Sequence, residues 1–130
     1  MTDAETLPGE QKTVLVVEDN ETARWLLAEI LANEGYDVCE ASNADEALRR
    51  LMERSDIRAV ISDIEMPGSM DGLEMAALIQ RRSPEIGMLL TSGRRDPALD
   101  TLPPGVKFML KPWVPDDLIR EVETLLATRK

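Results

Sequence analysis

The feature that most constrains the fold is an alternation. From Thr13 onward, five short apolar runs are each followed by a stretch whose apolar residues recur at helical spacing. Val14-Leu15-Val16-Val17 opens the series, and Ala23, Leu26, Leu27, Ile30 and Leu31 follow on one helical face closed by Gly35. Residues 36–41 alternate as a second strand, after which Asn43 caps a helix with Ala44, Ala47, Leu48, Leu51 and Met52 inward. Ala59-Val60-Ile61 is a third strand, and residues 72–82 form a third helix carrying Leu73, Ala76, Ala77 and Leu78. A fourth strand covers residues 86–90. A short fourth helix is expected over 96–101, with Asp96 as cap and Pro97 in its first position, ended by Pro103-Pro104. Residues 106–110 make a fifth strand, and residues 115–127 a fifth helix with Leu118, Val122, Leu125 and Leu126 inward.

Five strand–helix pairs in alternation imply an α/β fold, because right-handed crossovers place helices on both faces of a parallel sheet. The first, third and fourth strands are solidly apolar, as strands covered on both faces must be, whereas the second and fifth intersperse polar residues and read as edges. The doubly wound, flavodoxin-like (βα)5 sandwich of strand order 2-1-3-4-5 satisfies both conditions. It also leaves a switch point between the first and third strands, where ligands bind beyond the strands' carboxyl ends.

Composition narrows the chemistry. With 130 residues the chain is one domain, and residues 1–11, polar and acidic, read as a loose tail before a folded unit over 12–130. The absence of histidine excludes a Ser-His-Asp triad and zinc sites built on imidazole. The single cysteine, Cys39, cannot form an internal disulfide. A net charge of −10 argues against nucleic acid or anionic membrane as partner, and no apolar run approaches the ~20 residues of a membrane span. A cytoplasmic protein with a protein partner is the expectation.

Glu18 and Asp19 follow the first strand, Asp63 the third, Thr91 and Ser92 the fourth, and Lys111 the fifth. All therefore lie at one edge of the sheet. Three converging carboxylates repel unless a divalent cation or a raised pKa relieves them, and oxygen-only ligands favour Mg2+, with Mn2+ as a substitute. A carboxylate nucleophile, such an ion, a lysine and a hydroxyl together suffice to take up a phosphoryl group as an acyl phosphate.

Five segments carry a resemblance: Val16-Val17-Glu18-Asp19-Asn20, Ser62-Asp63-Ile64-Glu65-Met66-Pro67, Met70-Asp71-Gly72-Leu73, Leu90-Thr91-Ser92-Gly93 and Leu110-Lys111-Pro112-Trp113. In this order the chain resembles the response-regulator receiver domains of bacterial two-component signalling. The resemblance implies Asp63 as phosphoacceptor and Asp19 as a direct Mg2+ ligand. It implies Glu18 as a ligand through water, and the backbone carbonyl of Glu65 as completing the protein's share of the shell. Thr91 and Lys111 would contact the phosphoryl group, and Phe108 occupies the position of the switch aromatic. Implied partners are a histidine kinase or histidine phosphotransfer protein as donor. A downstream protein or a second copy would bind the face of the fourth helix, fifth strand and fifth helix. Since the chain ends soon after the fifth helix, a stand-alone receiver acting in trans is expected, not a multiple-turnover enzyme.

The chain departs from the commonest pattern at Glu18, which replaces aspartate, at the longer Gly68-Ser69-Met70 loop, and at Ser92, where alanine is frequent. Two other readings stand beside the first. Asp63-Ile64-Glu65 is similar to the paired acids of haloacid dehalogenase phosphatases, although a glutamate replaces the second aspartate. A constitutive pseudo-receiver is the other, opposed by the intact set of acceptor, acids and lysine.

Overall fold

The structure, a computed structural model, describes residues 12–93, 102 and 105–127. Five strands, β1 (Thr13–Val17), β2 (Asp37–Ala41), β3 (Ile57–Asp63), β4 (Gly87–Ser92) and β5 (Val106–Leu110), form one sheet in the order β2-β1-β3-β4-β5. Every pairing is parallel. The two strands with mixed polarity are the edges, as their composition required.

Among the described residues four helices connect or follow these strands: α1 (Glu21–Asn33), α2 (Ala44–Glu53), α3 (Gly72–Arg82) and α4 (Pro115–Ala127). The last of these is the helix expected as the fifth; the short helix expected over 96–101 lies outside the described residues, as do residues 1–11. Each of the first three helices starts on a side-chain cap. Asn20 accepts from the Ala23 N–H at 2.8 Å and Asn43 from the Glu46 N–H at 2.8 Å. Asp71 and Glu74 exchange reciprocal bonds of 2.9 Å in a capping box.

Strand alternation splits the core in two. Leu15, Val17, Val60, Met88 and Leu90 face one side and pack with Ala47 of α2 and Met75, Ala76 and Ile79 of α3. Val14, Val16, Ile61 and Leu89 face the other, against Leu27 and Leu31 of α1 and Leu118, Val122 and Leu125 of α4. Three apolar residues expected inward are exposed: Ala23, Leu26 at 51% and Met52 at 86%. Each stands at the border of its helix's apolar stripe, where helical spacing alone cannot say how far the sheet reaches.

Both β3 and β4 run further than their apolar cores. Asp63 is the last residue of β3, and Thr91 and Ser92 are the last two of β4, so these candidate positions are held in the ladder and not on free loops. The ladder sets Asp63 opposite Thr91.

Candidate functional site

Because side chains alternate along a strand, residues of one parity share a face. Asp63 follows Ile61 by two, Thr91 follows Leu89, and Glu18 follows Val16, each continuing the face covered by α1 and α4. Lys111 continues the same face from Met109, and its N–H is tied to the Ser92 carbonyl at 2.8 Å. The Lys111-Pro112 peptide is cis.

These placements bring the charges together. Lys111 Nζ lies 3.4 Å from Asp63 Oδ2 and 3.6 Å from Glu18 Oε1, a single cation shared between two nearly buried carboxylates. Carboxylate oxygens of Glu18, Asp19 and Asp63 all lie within 4.8 Å of one another. Burial raises the Asp63 pKa above its ordinary value. The nearby Glu65 charge adds to the rise, while Lys111 and a backbone N–H of Glu65 oppose it. Burial likewise raises Glu18, reinforced by Asp63 and Asp19 and opposed by the Asn20 N–H, which donates to Glu18 Oε2 at 3.0 Å, and by Lys111.

One lysine does not satisfy three acids. Asp63 Oδ1 is buried and has no hydrogen-bond partner among the described residues. An acceptor in that state, within reach of two further carboxylates, is what a hard cation with oxygen ligands would complete. The residues present therefore fit Mg2+ or Mn2+. Asp19 is available for this because capping of α1 falls to Asn20. A cavity of about 290 Å3 opens beside the group, bounded by Glu18, Leu26, Thr91, Lys111 and Trp113.

Phe108 is set apart. It is the register partner of Leu90 and packs half-buried against the α2–α3 core, on the face opposite Thr91. The Glu65 side chain is also engaged, its carboxylate accepting from the Ser92 hydroxyl at 2.8 and 3.0 Å. That pairing was not foreseen, and neither was Arg24, whose Nη1 donates to the Glu18 carbonyl at 2.7 Å. The signal for Arg24 lay in the sequence: it is a cation close to the N-terminus of a helix, where the helix dipole disfavours one.

A five-stranded parallel sheet of this order, with acids, a hydroxyl and a lysine gathered at its carboxyl edge, defines a phosphoryl-accepting signalling module. Residues 14–123 match the response regulator receiver domain family, and the chain belongs to it. It is 37% identical over 122 residues to the hydrogenase transcriptional regulatory protein HoxA of Cupriavidus necator, covering 89% of this chain and 24% of that protein. To the chemotaxis protein CheY1 of Helicobacter pylori (strain 26695) it is 32% identical over 121 residues, covering 88% of this chain and 97% of that one. The chain thus spans about a quarter of HoxA and nearly all of CheY1. Among solved structures it is similar to the response regulator protein TrrA of Thermotoga maritima in complex with Mg2+ and BeF. The TM-score is 0.78 at 32% identity, covering 89% of this chain and all of that one. Members of this family are the phosphorylatable receivers of two-component systems, so the phosphatase reading is set aside. No helix among the described residues is long and apolar enough to cross a membrane.

Proposed function

We propose that residues 12–130 form a receiver that takes a phosphoryl group from a histidine kinase or histidine phosphotransfer protein onto Asp63. The observation that carries this reading is the shared lysine. Lys111 holds Asp63 Oδ2 at 3.4 Å while Oδ1 of the same carboxylate is buried without a hydrogen-bond partner among the described residues, beside two further acids.

Asp63, Asp19, Glu18 through water, and the Glu65 carbonyl would hold Mg2+, with Mn2+ as a substitute. When bound, the ion neutralises charge on the incoming phosphoryl oxygens and on the carboxylates. Asp63 attacks phosphorus, the P–N bond to the donor imidazole breaks, and the imidazole keeps the electron pair and takes up a proton. Lys111 stabilises one phosphoryl oxygen as a point charge, and the Thr91 hydroxyl, one strand over from Asp63, donates to another. The step consumes its donor stoichiometrically, so the protein is a switch and not a multiple-turnover enzyme.

Movement of Thr91 and Lys111 toward the phosphoryl group would reshape the neighbouring surface, with Phe108 as the reporting side chain. The output is contact in trans with a downstream protein or a second copy, through the face comprising the segment before β5, β5 itself and α4. A net charge of −10 favours protein partners in a bacterial cytoplasm over nucleic acid or membrane. That TrrA is in complex with Mg2+ and BeF supports, by similarity, a site here that takes a divalent cation and a phosphoryl group.

The test is labelling with acetyl phosphate or a phosphohistidine donor in the presence of Mg2+. A base-labile label on Asp63, lost in Asp63→Asn, is expected, because an amide is a poor nucleophile. Label retained in that variant, or mapped to Ser62, would refute the assignment.

A further inference from the structure

The acidic pocket is braced from outside. Glu18 is held by its N–H on the Ala41 carbonyl at 3.0 Å, by its Oε2 on the Asn20 N–H at 3.0 Å, and by its carbonyl on Arg24 Nη1 at 2.7 Å. The same guanidinium meets Glu40 Oε1 of β2 through Nε at 3.2 Å. Glu40 is fixed in turn, since its main-chain carbonyl accepts from Arg50 Nε at 3.2 Å. The Arg24 side chain is only 18% exposed, so it is committed to these partners and not to solvent.

We propose that Arg24 is a positioning residue of the metal pocket, tying the Glu18–Asp19 peptide to Glu40 on β2 and so fixing where both carboxylates point. The proposal rests on the reading of those carboxylates as metal ligands. The carbonyl that Arg24 grips belongs to the peptide joining the two ligands, so one side chain constrains the backbone of both. Arg24 keeps this position against the local preference of the helix dipole, which argues that the contact and not the helix selects it.

Removing Arg24 has two effects of opposite sign on cation binding. Electrostatics alone predicts tighter binding, because a positive charge leaves and Glu40 loses its counter-ion. Positioning predicts weaker binding, because groups that orient metal ligands typically carry about 10- to 100-fold of metal affinity. Positioning is the larger effect here. Arg24 and Glu40 form a nearly neutral, partly solvated pair whose net field is screened, while Mg2+ tolerates little departure from octahedral geometry.

The experiment titrates Mn2+ into the whole chain and follows the electron paramagnetic resonance signal of the free ion, at temperatures where circular dichroism shows each variant folded. Arg24→Ala should bind Mn2+ about tenfold more weakly than wild type. Arg24→Gln, which removes the charge but keeps length and a donor, should fall between, and Arg24→Lys should recover part of the loss. Equal or tighter binding in Arg24→Ala overturns the proposal. If that variant does not fold, equal or tighter binding in Arg24→Gln does so. Asp19→Ala separates this result from the parent reading. If wild type binds Mn2+ and Asp19→Ala does not, the metal site stands whatever Arg24 does; if wild type binds none, both fall.

Discussion

Gly72 begins α3 directly against the end of β3, and replacing it tests whether the strand that ends in Asp63 is held by that contact. A Cβ added at Gly72 would lie 2.3 Å from the Asp63 carbonyl oxygen, 2.8 Å from Ile64 Cα and 3.1 Å from the Asp63 carbonyl carbon. All three atoms are backbone, so no side chain can rotate away. Reaching the 3.4 Å of ordinary contact requires the helix start and the strand end to separate by about 1.1 Å. The Gly72 N–H bond to the Ile64 carbonyl, now 2.9 Å, lies across the same gap and would stretch toward about 4 Å, beyond hydrogen-bonding distance.

The energies follow from these shifts. Overpacking costs roughly 1–3 kcal/mol and the lost main-chain bond about 1 kcal/mol, while alanine in a helix returns up to about 1 kcal/mol over glycine. Gly72→Ala should therefore lose about 2 kcal/mol in urea unfolding followed by circular dichroism. It should also phosphorylate slowly, since a displacement of about 1 Å at a reacting group costs on the order of 100-fold in rate. Gly35 supplies the contrast: its φ of +95° strains any side chain, but no atom of the described residues lies within 4 Å of an added Cβ. Gly35→Ala should lose about 1 kcal/mol and label at the wild-type rate. If Gly72→Ala matched wild type in both stability and rate of labelling by acetyl phosphate, the close approach of α3 to the end of β3 would not matter and the reasoning would fail.

Because the Asp63 pKa is raised in the folded state, its ionised form opposes folding above that pKa; Asp63→Asn should melt higher than wild type at pH 7, and the gap should close as pH falls below the raised value. A lower melting temperature for the variant at pH 7 would contradict this. Asp56 behaves oppositely. Its hydrogen bonds from Arg54 and Thr13 hold its pKa down to about 2, so its contribution is full above the ordinary carboxylate value near 3.8 and fades between about pH 4 and pH 2. The difference between wild type and Asp56→Asn in thermal melts should shrink across that window. Thr91→Ala should still accept phosphate but propagate less change. With beryllofluoride and Mg2+, amide shifts at Phe108 should be smaller than in wild type, and equal shifts would remove Thr91 from the switch.

The strands and helices were legible because burial imposes periodicity. β5 and α3 occupy the ranges their patterns marked, and Asp63, Thr91 and Lys111 fell at one edge once the strand order was deduced. The ends of β3 and β4 were not legible. Asp63, Thr91 and Ser92 are polar, and an apolar-run criterion stops before them although the ladder continues, with the Ile64 N–H bonding the Thr91 carbonyl at 2.9 Å. Leu26 and Met52 failed for the converse reason, being apolar residues at stripe borders that the sheet does not reach.

Arg24 and the pairing of Ser92 with Glu65 were missed because each involves a partner distant in sequence, through a contact that no motif encodes. Ser92 meets Glu65 across 27 residues, and Arg24 meets Glu40 across 16. A sequence shows which residues can carry charge but not which charges will be neighbours until topology is known. The same limit explains why convergence of Glu18, Asp19 and Asp63 was the most useful single inference. Two like charges at 4.8 Å repel by about 3.5 kcal/mol at an effective dielectric near 20, a cost that structure alone gives no reason to accept three times over. A fold that gathers such charges at the ends of its central strands, with one lysine between two of them and one buried oxygen without a hydrogen-bond partner among the described residues, fits a cation that would relieve the repulsion.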